Sequence, residues 1–534
     1  MMKKTKDINS LTVYVLLKIM LAIGTCLIGL VAYYSVTGTF YFRDYMDLGS
    51  LYVTDSLPKN LLVFGIFVLL SVIAYKIFDG KVNRKERFAG VVLGISSVLL
   101  LAVGIFYLKD HPYYMDGDQI NTFYGAVYST MVGDDIRYLM FQRGGYLGIY
   151  PQQKGLVVFY VILYKIFGDD AFVRIQYLHL IYPQIVLFSG YSILKTEKVS
   201  PFARIIFCMF MISCVPMYMY LPYMYGDLGS IAFSFLAALF LVRFGKSGKI
   251  RYAVGLCASC TVALLLRKQI WIFIMAIVIV MMLIALKNKK LRYAAAALCV
   301  VIAAWGTFAC IDAYYGKVSG YGHVEGVPSI CWVVMGLQET NGQPGIYNRY
   351  NQGVFEANGC DADLTRAVAK EDLKERLEFL REYPIYTRLF FASKIRQEWT
   401  APDFEALKTT SVWKAESGRD PSNAPGWLVS LYGGVRYAQV MGFANLYQSV
   451  VYLCAALLAL TFLLKKKPEI PVSAQLALIY CIGGILFFTV WENKSRYVFP
   501  FFMSIILLVP FFLDGIAPRK GFFVNFFKSR TPKG

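Results

Sequence analysis

The sequence predicts an all-α, polytopic helical membrane protein, and three observations carry this prediction. Of the 534 residues, 57% are hydrophobic and only 16% are charged, whereas soluble domains carry about 25% charged residues. Apolar runs recur along the chain, and runs of about 17–25 residues are long enough to cross the hydrocarbon core as helices. Only helices and closed barrels satisfy their backbone groups in lipid, and these runs are too long and continuous for barrel strands.

Twelve spans are predicted, and the distribution of basic residues agrees with them. The spans are 11–35, 60–77, 88–108, 171–193, 202–221, 228–244, 253–267, 269–286, 293–312, 446–464, 472–490 and 497–514. Lys and Arg near span ends favour the cytoplasm. With twelve spans and both termini cytoplasmic, every basic cluster between spans falls on the cytoplasmic side. The net charge of +20 therefore reflects topology and attraction to anionic lipid, and it does not indicate nucleic-acid binding.

One further apolar segment, residues 155–168, is excluded from the spans. Counting it as a span would place four basic clusters on the wrong side of the membrane. Its length of about fourteen residues suits an interfacial or re-entrant helix better than a crossing. We therefore expect it to lie along the outer face.

These elements divide the chain into four regions. Residues 1–87 form a two-span N-terminal extension, and 88–312 form a transmembrane core whose first outer loop is 109–170. Residues 313–445 form an outer polar block, in which 361–383 is predicted to be helical before Pro384. Residues 446–534 hold the last spans and a basic cytoplasmic tail.

The cysteines and histidines offer little evidence for a redox or metal site. Most of the eleven cysteines lie in apolar runs, where they act as small hydrophobes. Cys331 and Cys360 both fall in the outer block, and the sequence leaves open whether they pair. The chain has three histidines, which argues against a His-rich metal site.

Two carboxylates, Asp116 and Asp118, follow the predicted span 88–108 in the polar stretch YYMDGDQ. A carboxylate at the membrane edge can take a proton from an acceptor hydroxyl as a general base. An Asp-x-Asp pair can also coordinate a divalent cation such as Mg²⁺ or Mn²⁺ through oxygen ligands. The alternative is that the pair is a solvated loop end or a helix cap.

Five basic residues are candidates to bind an anionic group near the outer face: Arg267, Lys268, Lys494, Arg496 and Lys154. Adjacent Arg267 and Lys268 lie on the predicted outer side, against the positive-inside bias. They can alternatively snorkel to the interface. Arg496 can alternatively pair with Glu492, four residues earlier.

Several short motifs follow the acidic pair along the chain. They are Tyr150-Pro-Gln-Gln-Lys-Gly155, a short helix ending Ile166-Phe-Gly168 with Arg174 after it, Glu382-Tyr-Pro384, Lys394, Trp399, Ala401-Pro-Asp403, and Glu492 followed by Arg496-Tyr-Val-Phe-Pro500. In this order they resemble the GT-C superfamily of membrane glycosyltransferases, in particular the branch of protein O-mannosyltransferases and bacterial aminoarabinose transferases (glycosyltransferase family 39-like). The resemblance covers roughly residues 88–514.

The resemblance implies a polyprenyl-phosphate-sugar donor, inverting transfer on the extracytoplasmic face, and a catalytic Asp in the first outer loop. By position, Asp118 with Gln119 after it best matches the catalytic base, and Asp116 is the alternative. The five basic residues become candidates for the donor phosphate. Tyr150, Lys394, Trp399 and Glu492 become acceptor or outer-loop residues. Metal dependence stays open.

Two other functions fit a chain of this class. A transporter or flippase of lipid-linked saccharides would favour charged residues or helix breaks inside the spans. A polysaccharide polymerase would favour Arg or His in a large outer loop. The expected partners of the transferase are the lipid-linked donor, the bilayer, and an envelope glycan, lipid or protein acceptor. The expected location is a bacterial plasma membrane.

Overall fold

The computed structural model describes residues 2–42, 50–78, 82–111, 115, 117–131, 137–411, 424–466 and 468–516, with side chains except those of 2–10 and 82–84. These residues form a helical protein with two small β-hairpins. The first fourteen helices are α1 (Met2–Thr37), α2 (Leu57–Ile77), α3 (Val82–Asp110), α4 (Asp118–Thr130), α5 (Tyr146–Ile149), α6 (Lys154–Phe167), α7 (Ala171–Leu178), α8 (Ile181–Thr196), α9 (Pro201–Ile212), α10 (Val215–Met219), α11 (Asp227–Ser247), α12 (Ile250–Leu266), α13 (Ile270–Asn288) and α14 (Leu291–Ser319).

Ten further helices complete the described part of the chain. They are α15 (Ile330–Leu337), α16 (Tyr350–Ala357), α17 (Ala362–Glu382), α18 (Pro384–Trp399), α19 (Ala406–Thr409), α20 (Gly426–Gly433), α21 (Val435–Leu464), α22 (Val472–Val490), α23 (Ser495–Ile506) and α24 (Leu508–Ile516). The hairpin strands are β1 (Gly38–Tyr41) with β2 (Leu51–Thr54), and β3 (Glu339–Thr340) with β4 (Gln343–Pro344), both pairs antiparallel.

Nine described helical segments are long and apolar enough to cross a membrane, which confirms a polytopic helical membrane protein. They are Leu11–Thr37, Leu57–Ile77, Lys85–Asp110, Asp227–Ser247, Ile270–Asn288, Arg292–Ser319, Val435–Leu464, Val472–Val490 and Ser495–Ile516. Each contains one of the predicted spans or nearly all of it. The total of twelve crossings stays a prediction.

The other three predicted spans correspond to shorter helices. The predicted span 171–193 is divided between α7 and α8 by a tight turn at His179 and Leu180. The span 202–221 becomes the twelve-residue α9 followed by the short α10, and 253–267 becomes the seventeen-residue α12. Pro216 stands at the start of α10, where its fixed φ suits a new helix better than the continuation of α9.

The segment predicted to lie at the interface forms α6, a helix of fourteen residues. It packs on α4, α12 and α14. Gly155 allows a close approach, because a Cβ there would lie 2.6 Å from the carbonyl oxygen of Leu265. No membrane is part of the structure, so the interfacial placement of α6 stays a prediction.

The N-terminal region packs closely against helices near the C-terminal end of the described chain. Helix α1 lies along α21 and α22, and α2 contacts α21 and α24. The hairpin β1–β2 is attached to the end of α18, because the amide of Phe40 donates to the carbonyl oxygen of Thr400 over 3.2 Å. Asp55 after β2 accepts from Thr39 (2.6 Å) and from Asn445 of α21 (2.8 Å). The predicted extension therefore buttresses the rest of the protein.

The described part of the outer block is mostly helical, and the helices on either side of it extend into it. α14 continues to Ser319 and α21 begins at Val435, so both helices extend past the predicted limits of the block. The helix predicted at 361–383 is confirmed as α17. The side chain of Asp361 caps it by accepting from the amides of Asp363 and Leu364. Cys331 and Cys360 are free thiols.

Candidate functional site

A cavity of about 690 Å³ lies where five parts of the chain meet. The start of α4, the segment before α6, the turn before α11, the outer block and the segment before α23 all contribute side chains. The lining residues include Asp118, Tyr150, Gln153, Tyr223, Tyr225, Trp332, Tyr347, Arg349, Asn351, Glu405, Lys408, Glu492, Lys494, Arg496 and Tyr497. The cavity thus brings together residues of the first outer loop, the outer block and the segment before α23.

Asp118 is the first residue of α4 and is exposed to the cavity. Gly117 before it has φ +49° and ψ −123°, a conformation that glycine adopts at little cost. A carboxylate in the first turn is favoured by the helix dipole. Asp118 does not cap the helix, because Gly117 occupies the N-cap position and no side chain caps α4, and Asp118 instead lines the cavity.

Two tyrosine hydroxyls hold the carboxylate of Asp118. Tyr146 donates to Oδ1 over 2.8 Å and Tyr225 donates to Oδ2 over 3.0 Å. Burial raises the pKa of both phenols well above the ordinary value, and the negative charge of Asp118 contributes to this increase. Both phenols therefore remain protonated donors. Gln153 in turn donates to the hydroxyl of Tyr225. The carboxylate is thus fixed in orientation.

Arg496 and Lys494 place positive charge in the same cavity. Arg496 is 7% exposed, and its guanidinium donates to the hydroxyl of Tyr223 and lies 5.2 Å from the ring centroid of Tyr225. Its Nε has no hydrogen-bond partner among the described residues. Charged donors of this kind form strong hydrogen bonds with anions.

Glu492 pairs with Lys494, not with Arg496 as the sequence alternative suggested. The ion-pair distance from Nζ of Lys494 to Oε1 of Glu492 is 3.7 Å, and Tyr497 donates to Oε2 over 3.3 Å. Glu492 precedes α23, so the i, i+4 geometry of one helix does not apply. Burial disfavours the charged amine, but the nearby carboxylate of Glu492 holds the pKa of Lys494 above its ordinary value.

A further carboxylate, Glu405, lines the cavity from the outer block. The amide of Ser495 donates to Oε1 of Glu405 over 2.7 Å, which ties Glu405 to the start of α23. Burial raises the pKa of this carboxyl to about 7. Phe404 and Glu405 have φ of +51° and +61°, a strained conformation for non-glycine residues that is maintained by the surrounding structure.

Arg267 lies behind the cavity wall. Its Nε is 3.4 Å from Oδ1 of buried Asp227, and its guanidinium is 4.6 Å from the ring centroid of Tyr225. It therefore contacts Tyr225, which itself lines the cavity. The structure does not place Arg267 among the residues that line the cavity.

Lys268 and Lys154 lie near a different carboxylate, Asp312. Lys154 is 3% exposed and its Nζ is 2.5 Å from Oδ1 of Asp312, whose Oδ2 contacts His323. The amine of Lys268 lies 5.9 Å from the ring centroid of Phe308. Neither lysine lines the cavity that contains Asp118.

Lys394 and Trp399 are buried structural residues of α18. Lys394 donates to the carbonyl oxygens of Gly336 (2.6 Å) and Trp491 (2.5 Å), and thereby joins the outer block to the segment before α23. Burial lowers the pKa of this amine to about 8. Trp399 is fully buried. Of the four predicted acceptor or outer-loop residues, Tyr150 and Glu492 line the cavity.

Asp116 lies outside the described residues, so its predicted role as the alternative base has no structural outcome. Within the described ranges, no group of three or more His, Cys, Asp or Glu side chains is arranged to hold a metal ion. Whether Asp116 and Asp118 share a divalent cation stays an open prediction.

Several residues that line the cavity or hold Asp118 were not found from the sequence. Tyr146, Tyr223 and Tyr225 belong to a chain with 39 tyrosines, so nothing in their local pattern separates them from interfacial tyrosines. The run Tyr223-Met-Tyr-Gly-Asp227 does break the apolar character of its surroundings. The amide of Met224 donates to Oε1 of Gln119 over 3.2 Å, which fixes this turn beside Asp118.

No protein-family model matches the chain, and no curated protein matches it either.

Proposed function

We propose that this protein is an integral membrane glycosyltransferase that moves a sugar from a polyprenyl-phosphate donor to an extracytoplasmic acceptor. The observation that carries the proposal is a single cavity containing an oriented carboxylate, Asp118, and two cations, half-buried Lys494 and buried Arg496. A glycosyltransferase of the GT-C type, which the sequence resembles, requires both. Membrane embedding by several apolar helices suits a lipid-linked donor.

The proposed reaction is a direct displacement. The acceptor hydroxyl oxygen attacks the anomeric carbon, and its proton passes to Asp118. The bond between the anomeric carbon and the phosphate oxygen breaks, and its electron pair stays on that oxygen. The products are the glycosylated acceptor with inverted anomeric configuration and polyprenyl phosphate.

The leaving phosphate gains negative charge in this step, and the two cations of the cavity stabilise that charge. Arg496 provides the unpartnered Nε donor, and Lys494 provides an amine held in its charged form. Fixed cations in a water-poor site stabilise developing charge more effectively than water does. Tyr223 and Tyr225 hold the guanidinium in place by a hydrogen bond and by ring contact.

An apolar groove of about 640 Å³ between α4, α6 and α14 is the proposed place for the polyprenyl chain. Its walls include Val158, Val161 and Ile162 of α6 and Ile302 and Ile311 of α14. Helix α6 starts next to Gln153 of the cavity and continues along this groove. A chain leaving the cavity along α6 therefore reaches an apolar surface.

The proposal is tested by transfer of label from a panel of radiolabelled polyprenyl-phosphate sugars to membrane acceptors. The purified protein in nanodiscs is compared with Asp118→Asn, with Asp116→Asn, and with Asp169→Asn as an exposed outer-loop control. We expect transfer by wild type and by Asp169→Asn, and its loss in Asp118→Asn. Loss only in Asp116→Asn would make that residue the base. Saturable donor binding without turnover by wild type would favour a transporter instead.

A further inference from the structure

One five-residue segment of the outer block presents alternate side chains to the cavity. Tyr347, Arg349 and Asn351 line the cavity, whereas Asn348 and Tyr350 between them contact the outer block. We call residues 347–351 the alternating segment. Its three inward side chains are an aromatic ring, a guanidinium and an amide.

The outward side chains fix the segment. Nδ2 of Asn348 donates to Gln338 (2.9 Å) and Thr340 (3.2 Å) beside and within β3. The hydroxyl of Tyr350 donates to Asp372 of α17. Arg349 is held at φ +65°, which is strained for a side chain larger than glycine. Such strain is maintained where surrounding contacts over-determine the backbone, and it concentrates at functional sites.

The inward side chains have unused hydrogen-bonding capacity. Asn351 is 1% exposed, and its Oδ1 accepts from the amide of Gln352, but its Nδ2 donates to none of the described residues. The guanidinium of Arg349 likewise makes no hydrogen bond or ion pair within the described part of the chain. Asn351 lines the cavity, so its unused Nδ2 can donate to a ligand or to solvent there.

We propose that the alternating segment binds the acceptor and that this acceptor is a carbohydrate. The inference rests on the proposed transferase function and names its acceptor class. Tyr347 is 38% exposed, and a sugar can pack its C–H face on such a ring. The planar donors of Arg349 and Asn351 suit the vicinal hydroxyl oxygens of a sugar. Trp332, stacked in parallel on Trp491 at 5.9 Å, extends the aromatic wall.

Charge argues against a polyanionic acceptor. Residues 313–445 contain 14 basic and 15 acidic side chains, a net charge of −1 in a chain whose total is +20. The cavity holds three carboxylates, Asp118, Glu405 and Glu492, beside four cations, Arg349, Lys408, Lys494 and Arg496, so its charges nearly balance. A polyanion such as a glycerol-phosphate polymer would therefore meet no strong positive field on the outer block, whereas a neutral glycan needs none.

The test measures equilibrium binding of labelled neutral oligosaccharides to the full-length protein in nanodiscs without donor. The probes, each labelled and titrated separately, are tetrasaccharides of glucose, mannose and N-acetylglucosamine, a Ser/Thr peptide and a glycerol-phosphate polymer. We expect saturable binding of at least one tetrasaccharide by wild type. Tyr347→Ala and Arg349→Gln should each raise its Kd about tenfold, equivalent to about 1.4 kcal/mol. Tyr321→Ala, an exposed outer-loop tyrosine that does not line the cavity, should leave it unchanged.

Three outcomes overturn the inference. Tetrasaccharide binding that is equal in wild type and both variants would place the glycan elsewhere. Binding of the peptide or of the polymer, but of no tetrasaccharide, would assign a different acceptor class, and binding of none of these probes would leave the segment without an acceptor role. Binding of labelled polyprenyl-phosphate sugar is measured on the same nanodiscs. If wild type binds no such donor, the proposed transferase function fails, independently of the oligosaccharide result.

Discussion

The hydroxyl of Tyr225 donates to Oδ2 of Asp118 over 3.0 Å, and this contact joins the turn before α11 to the start of α4. The same phenol accepts from Gln153, and its ring stacks on the guanidinium of Arg267. Tyr225 thus connects the carboxylate in the cavity to a buried ion pair behind it. The predictions below follow from this arrangement.

Replacing Tyr225 by Phe should lower the rate of transfer about tenfold or more. A hydrogen bond to a charged group contributes about 1.5–3 kcal/mol, and its loss frees the Asp118 carboxylate to leave its productive orientation. The measurement is kcat for sugar transfer in nanodiscs. The matched control is Tyr164→Phe, which removes a similar hydroxyl–carboxylate bond to Asp169 at an exposed position. Equal rates for the two variants would argue against a role for Tyr225.

Replacing Arg267 by Met should lower thermal stability substantially, because it leaves the carboxylate of Asp227 buried without its cation. Breaking a buried pair by removing one partner costs about 3–5 kcal/mol. The double variant Arg267→Met/Asp227→Asn should recover much of this loss. Apparent Tm in detergent measures both effects. A double variant no more stable than Arg267→Met would show that the pair is not the cause.

Glu405 should make the protein less stable as the pH rises. Burial raises the pKa of this carboxyl to about 7 in the folded state, whereas the ordinary pKa of about 4.3 applies in the unfolded state. Between these two pH values the folded state therefore keeps a proton that the unfolded state has released. The stabilisation is therefore complete below the unfolded pKa and is lost as pH rises through the folded pKa. Glu405→Gln, which keeps an oxygen for Ser495, removes this dependence.

The expected result is a difference in apparent Tm, Glu405→Gln minus wild type, that increases between about pH 5 and pH 8. Comparing the difference cancels the contribution of other buried carboxyls such as Glu398 and Asp403, whose pKa values burial also raises. Glu371→Gln, at an exposed position on α17, should show no such change. A difference that is independent of pH would contradict the assignment.

Replacing Lys394 by Met should loosen the contact between the outer block and the segment before α23. The change removes the donor to the buried carbonyl oxygens of Gly336 and Trp491, and each unsatisfied group costs about 1–3 kcal/mol. We expect a lower apparent Tm and faster limited proteolysis of the outer block. Lys374→Met, at an exposed position, serves as the control. Unchanged proteolysis of Lys394→Met would exclude this role.

The long helices were predictable from sequence because hydropathy over about 20 residues is a strong signal. The breaks within 171–193 and 202–221 were not, because the apolar character continues through the turns at His179 and Pro216. Asp118, Lys494 and Arg496 were found because charge is rare near apolar runs. Tyr225, Arg349 and Glu405 were missed because their significance depends on contacts with residues more than a hundred positions away or on backbone strain.

Basic residues that look alike in the sequence also lie in different parts of the structure. Arg267 and Lys268 are adjacent in the chain, yet Arg267 turns to Asp227 and Lys268 lies near Phe308. Neighbouring residues at the end of α12 point in different directions, so adjacency alone does not put both in one site. The same holds for Lys154, which pairs with Asp312 although Gln153 beside it lines the cavity.

The central claim is that Asp118 acts in chemistry while Arg496 binds the donor phosphate in the same cavity. The most direct measurement is equilibrium binding of a labelled polyprenyl-phosphate sugar to wild type, Asp118→Asn and Arg496→Gln in nanodiscs, with transfer measured in parallel. The account predicts that Asp118→Asn binds the donor as wild type does but transfers no sugar, and that Arg496→Gln binds it at least about tenfold more weakly. Donor binding that is unchanged in Arg496→Gln, or undiminished transfer by Asp118→Asn, would contradict it.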